Sequence, residues 1–329
     1  MRILFYDTKS YDEKSFLEQL PNYPDIEITF LKEDLNIHSV RLAKGYTAIC
    51  VFVSSDISTN IINELSLCGV KLILLRCAGF NNVDLNCAIL HNIRVMRVPG
   101  YSPEAVAEHA MALALTANRK MHKSYVRVRE NDFSLAGLIG FNFYQKKAGI
   151  IGTGKIGIAM AKICHGFGMD ILAYDVHQKN NLPNYIQYVS LEELFKQSDL
   201  ISLHCPLTDD TYHLINKDTI NLMKSGTILV NTSRGALVDT NDLIDGIRAK
   251  KFFGVGLDVY EEESDNVFED RSDEILSHST TARLLSFPNV VITSHQGFFT
   301  REALIAIATT TLDNAMSYIN NTPSCNDVI

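Results

Sequence analysis

The stretch KAGIIGTGKIGIAMAK, residues 147–162, carries three glycines in the spacing G-x-G-x-x-G. A short apolar segment leads into the glycines and a helix-like segment follows them. Between a strand and a helix, such glycines permit a tight turn, close approach of the backbone to a phosphate, and close packing of the helix. The free N–H groups of the helix N-terminus then face the anion. The stretch therefore predicts a dinucleotide-binding turn at Gly152, Gly154 and Gly157.

An acidic residue further along the chain refines this prediction. Asp175 ends the next predicted strand, DILAYD, about 20 residues after the glycines, where dinucleotide-binding folds place an acid that accepts the ribose hydroxyls. A carboxylate there repels the 2′-phosphate of NADP, so the sequence favours NAD. The glycines alone leave a plain structural turn open, whereas strand, turn, helix and acid together favour a dinucleotide.

Apolar, β-branched segments alternate with helical patterns on both sides of this turn, which is typical of parallel sheets with crossover helices. Strands before the turn are predicted at RILFYD, IEITFL, TAICVFV, VKLILLRC and IRVMRV. Strands from the turn onward are predicted at AGIIG, DILAYD, LISLHCP, GTILVNTSRG, GVGLDVY and NVVITSHQG. The predicted fold class is α/β with two doubly wound domains, the first flavodoxin-like and the second Rossmann-type.

The segment VPGYSP separates the two sets of strands. A helix is predicted to begin at Pro103, with Ser102 as its N-cap and Glu104 in its first turn, and to run for more than twenty residues. Its Ala-rich face favours burial, including burial against a second subunit. A last helix is predicted near 301–320, where it returns to complete the first domain.

The predicted nucleotide domain is therefore inserted into the other domain. Its expected bounds are 101–297. The substrate domain is expected to comprise 1–100 and 298–329 and to close over the nucleotide domain.

Composition bounds the function. A chain of 329 residues predicts two domains, and 46% hydrophobic with 21% charged residues is typical of soluble globular proteins. The net charge of −8 gives little support to nucleic-acid binding, and no apolar run is long enough to cross a membrane. Seven scattered cysteines without a C-x-x-C pair favour free thiols in a reducing cytoplasm over disulfides or a metal site.

Three short motifs follow predicted strands of the second domain, where a doubly wound sheet binds its ligands: NTSRG, LDVYEEE and TSHQG. Arg234 can bind a carboxylate and polarise an adjacent carbonyl, and His295 can exchange a proton near neutral pH. A carboxylate from the run Glu261–Glu263 can keep that imidazole protonated. Taken singly, these residues also fit a surface arginine, a solvated acidic loop and a core histidine. Beside a nicotinamide they suit hydride transfer to a 2-oxo acid.

The chain resembles the D-isomer-specific 2-hydroxyacid dehydrogenase family over nearly its whole length. The resemblance rests on RCAGFNNVDL, VPGYSPEAVAEHA, GIIGTGKIG, SLHCPLT, NTSRGALVD, GLDVYEEE and SHQGF. It implies that Arg234, Glu263 and His295 are the catalytic residues, because the family's glutamate is the fifth residue after the aspartate of LDVY. Glu261 and Glu262 are then expected to be solvated neighbours.

The resemblance also implies the cofactor contacts. Those expected on the diphosphate and adenosine side are Lys155, Ile156, Asp175, Cys205 and Pro206. Those expected along the nicotinamide are Asp258 and the backbone of Thr232, Ser233 and Arg234. At Thr211 the lactate branch of the family often has Asn, and the hydroxyl is expected to replace one amide hydrogen bond to the cofactor. Gly297 stands where a small apolar residue is more usual.

On the substrate side, the resemblance implies that the N–H groups of Ala78 and Gly79 bind the carboxylate and that Tyr101 lies near the substrate. Three aromatic residues are candidates for an apolar pocket wall, and plain core packing is the open alternative for them: Phe52, Phe298 and Phe299. Residues 264–285 are expected to form the longer loop of the lactate branch.

The resemblance further implies that NADH and substrate bind in a cleft between the two domains. The implied activity is the reversible, NAD-dependent reduction of pyruvate to D-lactate, with hydride from NADH and a proton from His295. Enzymes acting on D-2-hydroxyisocaproate or phenylpyruvate are the alternatives within the family. An NAD-sensing binding protein of the same fold is the alternative of another class. A homodimer or homotetramer formed through the helix after Pro103 is expected, with no nucleic-acid or membrane partner.

Overall fold

A computed structural model of the chain describes residues 1–263, 270–273, 275 and 279–329. The chain divides into two compact units, Met1–Ser102 with Phe299–Ile329, and Pro103–Phe298. The boundaries expected from the sequence differ from this division by no more than two residues at each junction.

The first unit is built on a five-stranded parallel sheet in the order β2-β1-β3-β4-β5, the flavodoxin-like order. Its strands are β1 (Arg2–Phe5), β2 (Glu27–Phe30), β3 (Ala48–Val51), β4 (Leu72–Leu75) and β5 (Arg94–Arg97). The helices of its N-terminal part are α1 (Ser10–Gln19), α2 (Thr59–Leu67) and α3 (Leu85–Leu90). Every residue of β3 and β4 is buried, which explains their unbroken apolar sequences AICV and LILL.

The second unit is built on a seven-stranded parallel sheet in the order β12-β11-β10-β9-β6-β7-β8, which contains the Rossmann order around its first strand, β6. Its strands are β6 (Lys147–Ile151), β7 (Asp170–Tyr174), β8 (Ile186–Tyr188), β9 (Leu200–Leu203), β10 (Thr227–Asn231), β11 (Phe252–Leu257) and β12 (Val290–Ile292). Its helices are α4 (Pro103–Arg119), α5 (Met121–Arg129), α6 (Lys155–Gly166), α7 (Leu191–Gln197), α8 (Lys217–Leu222), α9 (Thr240–Arg248) and α10 (Ser279–Ser286). The predicted α/β class with two doubly wound sheets is confirmed.

Two predicted segments need correction. The helix that begins at Pro103 has 17 residues rather than more than twenty, because Lys120 adopts a left-handed backbone (φ 50°) and ends α4 before α5 begins. The loop expected over 264–285 is wrong for 279–285, which belong to α10. Residues 264–269, 274 and 276–278 of that stretch lie outside the described residues.

The last helix, α11 (Arg301–Ile319), packs on the sheet of the first unit. Its buried face carries Ala308, Leu312 and Ala315, which join one apolar cluster with Ile3 and Phe5 of β1. The 31 C-terminal residues thus complete the core begun by the first 102. Among the helices that the structure describes, none combines the length and the apolar character needed to cross a bilayer.

Candidate active site

The glycine turn connects β6 to α6. Gly152 has a left-handed backbone (φ 93°), and a β-carbon there would lie 2.6 Å from the carbonyl group of His204. A β-carbon on Gly157 would overlap the carbonyl oxygen of Gly152. In contrast, the space in front of Gly154 is open, and Lys155 begins the twelve-residue helix α6. Close packing at two glycines and free space at the third are what a phosphate-binding turn requires.

Asp175 follows β7, the strand next to β6 in the sheet. One carboxylate oxygen accepts hydrogen bonds from the N–H (2.6 Å) and the hydroxyl (2.9 Å) of Thr153, and the other from the N–H of His177 (2.9 Å). Burial by itself raises the pKa of Asp175, but these hydrogen bonds outweigh it and lower the pKa below the usual range. The carboxylate of Asp175 therefore stays ionised at neutral pH.

The segment after β9 lies against the glycine turn. The backbone N of Cys205 lies 2.7 Å from the position of a β-carbon on Gly152, and the hydroxyl of Ser233 donates to the carbonyl of Cys205 (2.6 Å). The hydroxyl of Thr211 donates to the carbonyl of Pro206 (2.7 Å) and accepts from the N–H of Thr208 (2.8 Å). That hydroxyl therefore closes the local turn around Pro206, a use that the sequence did not predict.

Arg234 lies in the turn after β10. The buried side chain of Asn231 accepts from the N–H of Ser233 (3.0 Å) and donates to the carbonyl of Arg234 (2.8 Å), which fixes the backbone of the turn. The Arg234 side chain is exposed and donates to the carbonyl of Ser233 (2.7 Å). The hydroxyl of Thr232 is buried and has no hydrogen-bond partner in the described part of the chain. A bound ligand at this turn would satisfy it.

His295 and Glu263 lie within hydrogen-bond distance. The imidazole Nδ1 is 3.1 Å from Glu263 Oε1, and the two side chains are 29% and 19% exposed. Glu263 stands in the turn after β11, and its second oxygen accepts from the N–H of Tyr260 (3.3 Å). A carboxylate at Nδ1 fixes the ring orientation and leaves Nε2 to exchange a proton. The structure thus brings together two of the three predicted catalytic side chains.

Asp258, at the end of β11, is 2% exposed and holds the segment that contains His295. Its carboxylate accepts from the ring of His109 (3.1 Å), from the hydroxyl of Thr293 (2.5 Å) and from the N–H groups of Gln296 (2.9 Å) and Gly297 (2.8 Å). Its carbonyl accepts from the N–H of His295 (2.9 Å). Burial by itself raises the pKa of Asp258, but these hydrogen bonds lower it below its usual range.

Two features of this network were not predicted. His109 was not singled out in the sequence, because it lies among the alanines of α4. Gly297 had no evident role in the sequence, but a β-carbon there would lie 2.9 Å from Asp258 Oδ2. The absence of a side chain at position 297 therefore lets the carboxylate reach the backbone of the loop.

The expectation that Glu261 and Glu262 are solvated is wrong. Glu261 Oε1 lies 2.7 Å from His213 Nε2, and Oε2 accepts from the N–H (2.9 Å) and the hydroxyl (2.7 Å) of Thr240. Glu262 accepts a hydrogen bond from Thr280. Acids that look equivalent in the run EEE therefore have three different partners.

Three of the predicted substrate residues in the first unit follow β3 and β4, at the carboxyl edge of that sheet: Phe52, Ala78 and Gly79. The carbonyls of Ala78 and Gly79 accept from Arg97 (2.8 Å) and from the Cys77 thiol (3.3 Å). The side-chain amide of Asn82 donates to the carbonyl of Phe52 (3.4 Å). These contacts fix the backbone of both loops.

The predicted aromatic residues differ in environment. The Phe52 ring lies 5.0 Å from the guanidinium of Arg76, a buried residue that the sequence did not single out. Phe299 is 49% exposed and contacts Tyr11 edge-on at 4.8 Å between ring centroids. Tyr101 is half-buried. Phe298, in the second unit, is 7% exposed, which favours the core-packing alternative for this residue.

Comparisons with known proteins show which family the chain belongs to. The family model described as "D-isomer specific 2-hydroxyacid dehydrogenase, NAD binding domain" matches residues 111–297. The chain is 49% identical to a 2-hydroxyacid dehydrogenase homolog of Haemophilus influenzae and 47% identical to the D-lactate dehydrogenase of Escherichia coli, in each case over 95% of both chains. The solved apo-structure of D-lactate dehydrogenase from Escherichia coli superposes with a TM-score of 0.91 at 43% identity, covering all of both chains.

Proposed function

Because this chain belongs to the D-isomer-specific 2-hydroxyacid dehydrogenase family, we propose that it reduces pyruvate reversibly to D-lactate with NADH. The observation that carries the proposal is the pair of His295 and Glu263 at 3.1 Å. The strands of the second sheet are all parallel, so this pair lies at the same edge as the glycine turn after β6. A proton donor and a nucleotide turn at one edge suit hydride transfer to a carbonyl.

Several residues fit a bound NAD. Gly154 has free space in front of it, Asp175 keeps an ionised carboxylate, and Thr232 has a buried hydroxyl without a partner in the described residues. We assign the glycine turn and Lys155–Ile156 to the diphosphate, and Asp175 to the adenosine ribose. The turn Thr232–Arg234 is assigned to the nicotinamide side. Asp258 supports the nicotinamide side indirectly, through its hydrogen bonds to the loop 295–297.

Each part of the proposed reaction is then assigned to a particular group. When bound, NADH supplies the hydride that reduces the carbonyl carbon. The guanidinium of Arg234 binds the substrate carboxylate and polarises the carbonyl oxygen. His295 Nε2 donates a proton to that oxygen, and Glu263 stabilises the imidazolium before the transfer. In the reverse direction the neutral imidazole accepts the proton of the hydroxyl group.

In the first unit, we assign the N–H groups of Ala78 and Gly79 to the substrate carboxylate. Their carbonyls already have partners, so the loop presents these N–H groups from a fixed backbone. Tyr101, Phe52 and Phe299 are assigned to the surroundings of the substrate.

The experiment is a comparison of NADH oxidation by the purified protein with pyruvate, 2-oxobutyrate, 2-oxoisocaproate and phenylpyruvate, followed by the chirality of the product. The highest kcat/KM on pyruvate with D-lactate formed is expected. A preference for the bulky acids would move the enzyme to another branch of its family. NADH binding without turnover on any acid would favour the NAD-sensing alternative.

The proton donor is tested separately with His295→Ala. We expect turnover to fall by about 10²–10⁴-fold, the usual contribution of general acid–base catalysis, while NADH affinity stays close to that of the wild type. The matched control is His38→Ala, because His38 is an exposed histidine of the first unit. Unchanged turnover in His295→Ala would refute the assignment.

We further propose that the chain forms a homodimer or homotetramer through the helical region after Pro103, which comprises α4 and continues into α5. The part of this region that follows α4 exposes eight large apolar side chains: Met121, Tyr125, Val126, Val128, Phe133, Leu135, Ile139 and Tyr144. Exposed apolar surface of this kind marks association sites. Sedimentation velocity of the wild type and of Leu135→Glu tests the proposal, and a wild-type monomer would refute it.

All seven cysteines are free thiols, which supports a reducing, cytoplasmic location.

A further inference from the structure

His213 connects two segments that carry proposed catalytic residues. Its imidazole Nε2 lies 2.7 Å from Glu261 Oε1, and its Nδ1 lies 3.3 Å from Asp239 Oδ2. The ring is stacked on Tyr212, with 3.9 Å between centroids and 18° between planes. The side chain is 25% exposed, so its orientation is set by protein contacts on most sides.

The backbone around His213 is attached to the segment after Arg234. The N–H of His213 donates to the carbonyl of Ala236 (2.9 Å), and Ile215 pairs with Val238 in a parallel bridge. The imidazole therefore reaches Glu261 from a backbone that the segment 236–239 holds in place.

Glu261 is bound at both oxygens. Thr240, the first residue of α9, donates its N–H and hydroxyl to Oε2, while His213 occupies Oε1. Burial by itself raises the pKa of Glu261, but the hydrogen bonds from Thr240 and His213 lower it below the usual range. The carboxylate is thus an ionised anchor for the turn 260–263.

The same turn carries Glu263. The N–H of Glu263 donates to the carbonyl of Tyr260 (3.2 Å), and the N–H of Tyr260 donates back to the Glu263 carboxylate (3.3 Å). On the other side, a β-carbon on Gly235 would overlap the backbone of Tyr260. The position of the Glu263 carboxylate therefore depends on where Glu261 fastens the turn.

We propose that His213 and Glu261 are positioning residues, which hold the turn 260–263 so that Glu263 stays against Nδ1 of His295. The proposal rests on the proposed function, because it concerns the same proton donor. A misplacement of about 1 Å at a catalytic group can reduce the rate by about 10²-fold, so a contact remote from the substrate can control turnover.

The first test is His213→Leu, with His213→Gln as the conservative variant whose amide can still donate to Glu261. We expect His213→Leu to lower kcat by roughly tenfold, part of the general acid–base contribution. NADH affinity stays unchanged, and the pH–rate profile for pyruvate moves toward acid because the imidazolium loses its counter-charge. His213→Gln recovers most of the rate. The control, His38→Leu, leaves kcat unchanged.

The second test repeats His213→Leu in a Glu263→Gln background. If His213 acts through Glu263, the two effects do not multiply, and the double variant is about as slow as Glu263→Gln alone. A further loss in the double variant as large as the loss in the wild-type background would overturn the proposal.

A third readout does not depend on turnover. ¹⁵N NMR of the His295 ring reports which nitrogen carries the proton of the neutral form. A proton fixed on Nδ1 in the wild type and a mixture of tautomers in His213→Leu supports the positioning role. Identical ring spectra in both proteins would overturn it, even if pyruvate proved to be the wrong substrate. His213→Gln serves for this measurement if His213→Leu does not fold.

Discussion

The backbone N–H of Gly297 donates a 2.8 Å hydrogen bond to the carboxylate of Asp258. With the N–H of Gln296 on the other oxygen, one buried side chain fixes the two residues after His295. The imidazole is therefore oriented from two directions, by Asp258 through the backbone and by Glu263 at Nδ1. Both acids precede His295 in the chain and follow β11, the strand that pairs with β12.

Asp258→Asn is expected to lower turnover and stability together, because an amide cannot accept all the hydrogen bonds that the carboxylate receives. The pKa of Asp258 is lowered in the folded protein. Its ionised form therefore stabilises the fold above the ordinary carboxyl pKa, about 3.9, and this contribution is lost as the pH falls through the folded-state pKa. Urea unfolding should show a deficit of about 1–3 kcal/mol at neutral pH that shrinks below about pH 4. A deficit independent of pH would contradict this account.

Gly235→Ala is expected to displace the turn 260–263, since the new β-carbon would overlap the backbone of Tyr260. We expect a loss of roughly 1–3 kcal/mol in the free energy of unfolding and a lower kcat. The matched control is Gly166→Ala at the end of α6, where nothing lies within 4 Å of the added carbon. Melting temperatures and kcat of the two variants check the prediction, and equal behaviour would refute the close contact.

Asp175→Ala is expected to relax the preference for NADH over NADPH, because it removes both a ribose acceptor and the charge that repels a 2′-phosphate. Loss of a hydrogen bond to a charged group weakens NADH binding by about 1.5–3 kcal/mol. Dissociation constants for both nucleotides are measured beside the control Asp170→Ala, which changes an exposed residue at the start of β7. An unchanged ratio between the nucleotides would count against the assignment.

His204 is expected to make the stability of the protein sensitive to acid. Its ring is desolvated, which lowers its pKa to about 4. Because the unfolded-state value is about 6.5, the neutral ring stabilises the fold above that pH, and the stabilisation is lost as the pH falls toward the folded-state value. Between pH 7 and 5 the wild type should lose about 2 kcal/mol more than His204→Asn in urea unfolding. Parallel pH profiles of the two proteins would contradict the prediction.

The sequence predicted the strands well wherever an apolar run lay between glycine or proline turns, as for LILL of β4. It missed β8, an edge strand of only three residues, IQY, that has no such run. It also missed the end of α4, since the residues around Lys120 favour a helix. The break coincides with a tertiary contact, in which the buried side chain of Asn118 pairs with the backbone of Phe141.

The candidate site, too, could be predicted from the sequence only in part. The glycine turn and the acid after β7 are local patterns, so the sequence contained them. The partners of Glu261 are not local, since His213 and Thr240 come from separate segments of the chain. Three consecutive glutamates cannot be distinguished by sequence alone, because the fold determines the partners of each. His109 was overlooked for this reason too, because its partner Asp258 lies far away in sequence.

The backbone of His295 is left-handed, with φ 48°. For a residue with a β-carbon this conformation costs about 1–2 kcal/mol, which a glycine would not incur. The residue proposed to transfer the proton is therefore held in an unfavourable backbone conformation. Laboratory evolution that selects for heat resistance alone should therefore enrich glycine or asparagine at position 295. The resulting proteins would be thermally more stable and catalytically inactive.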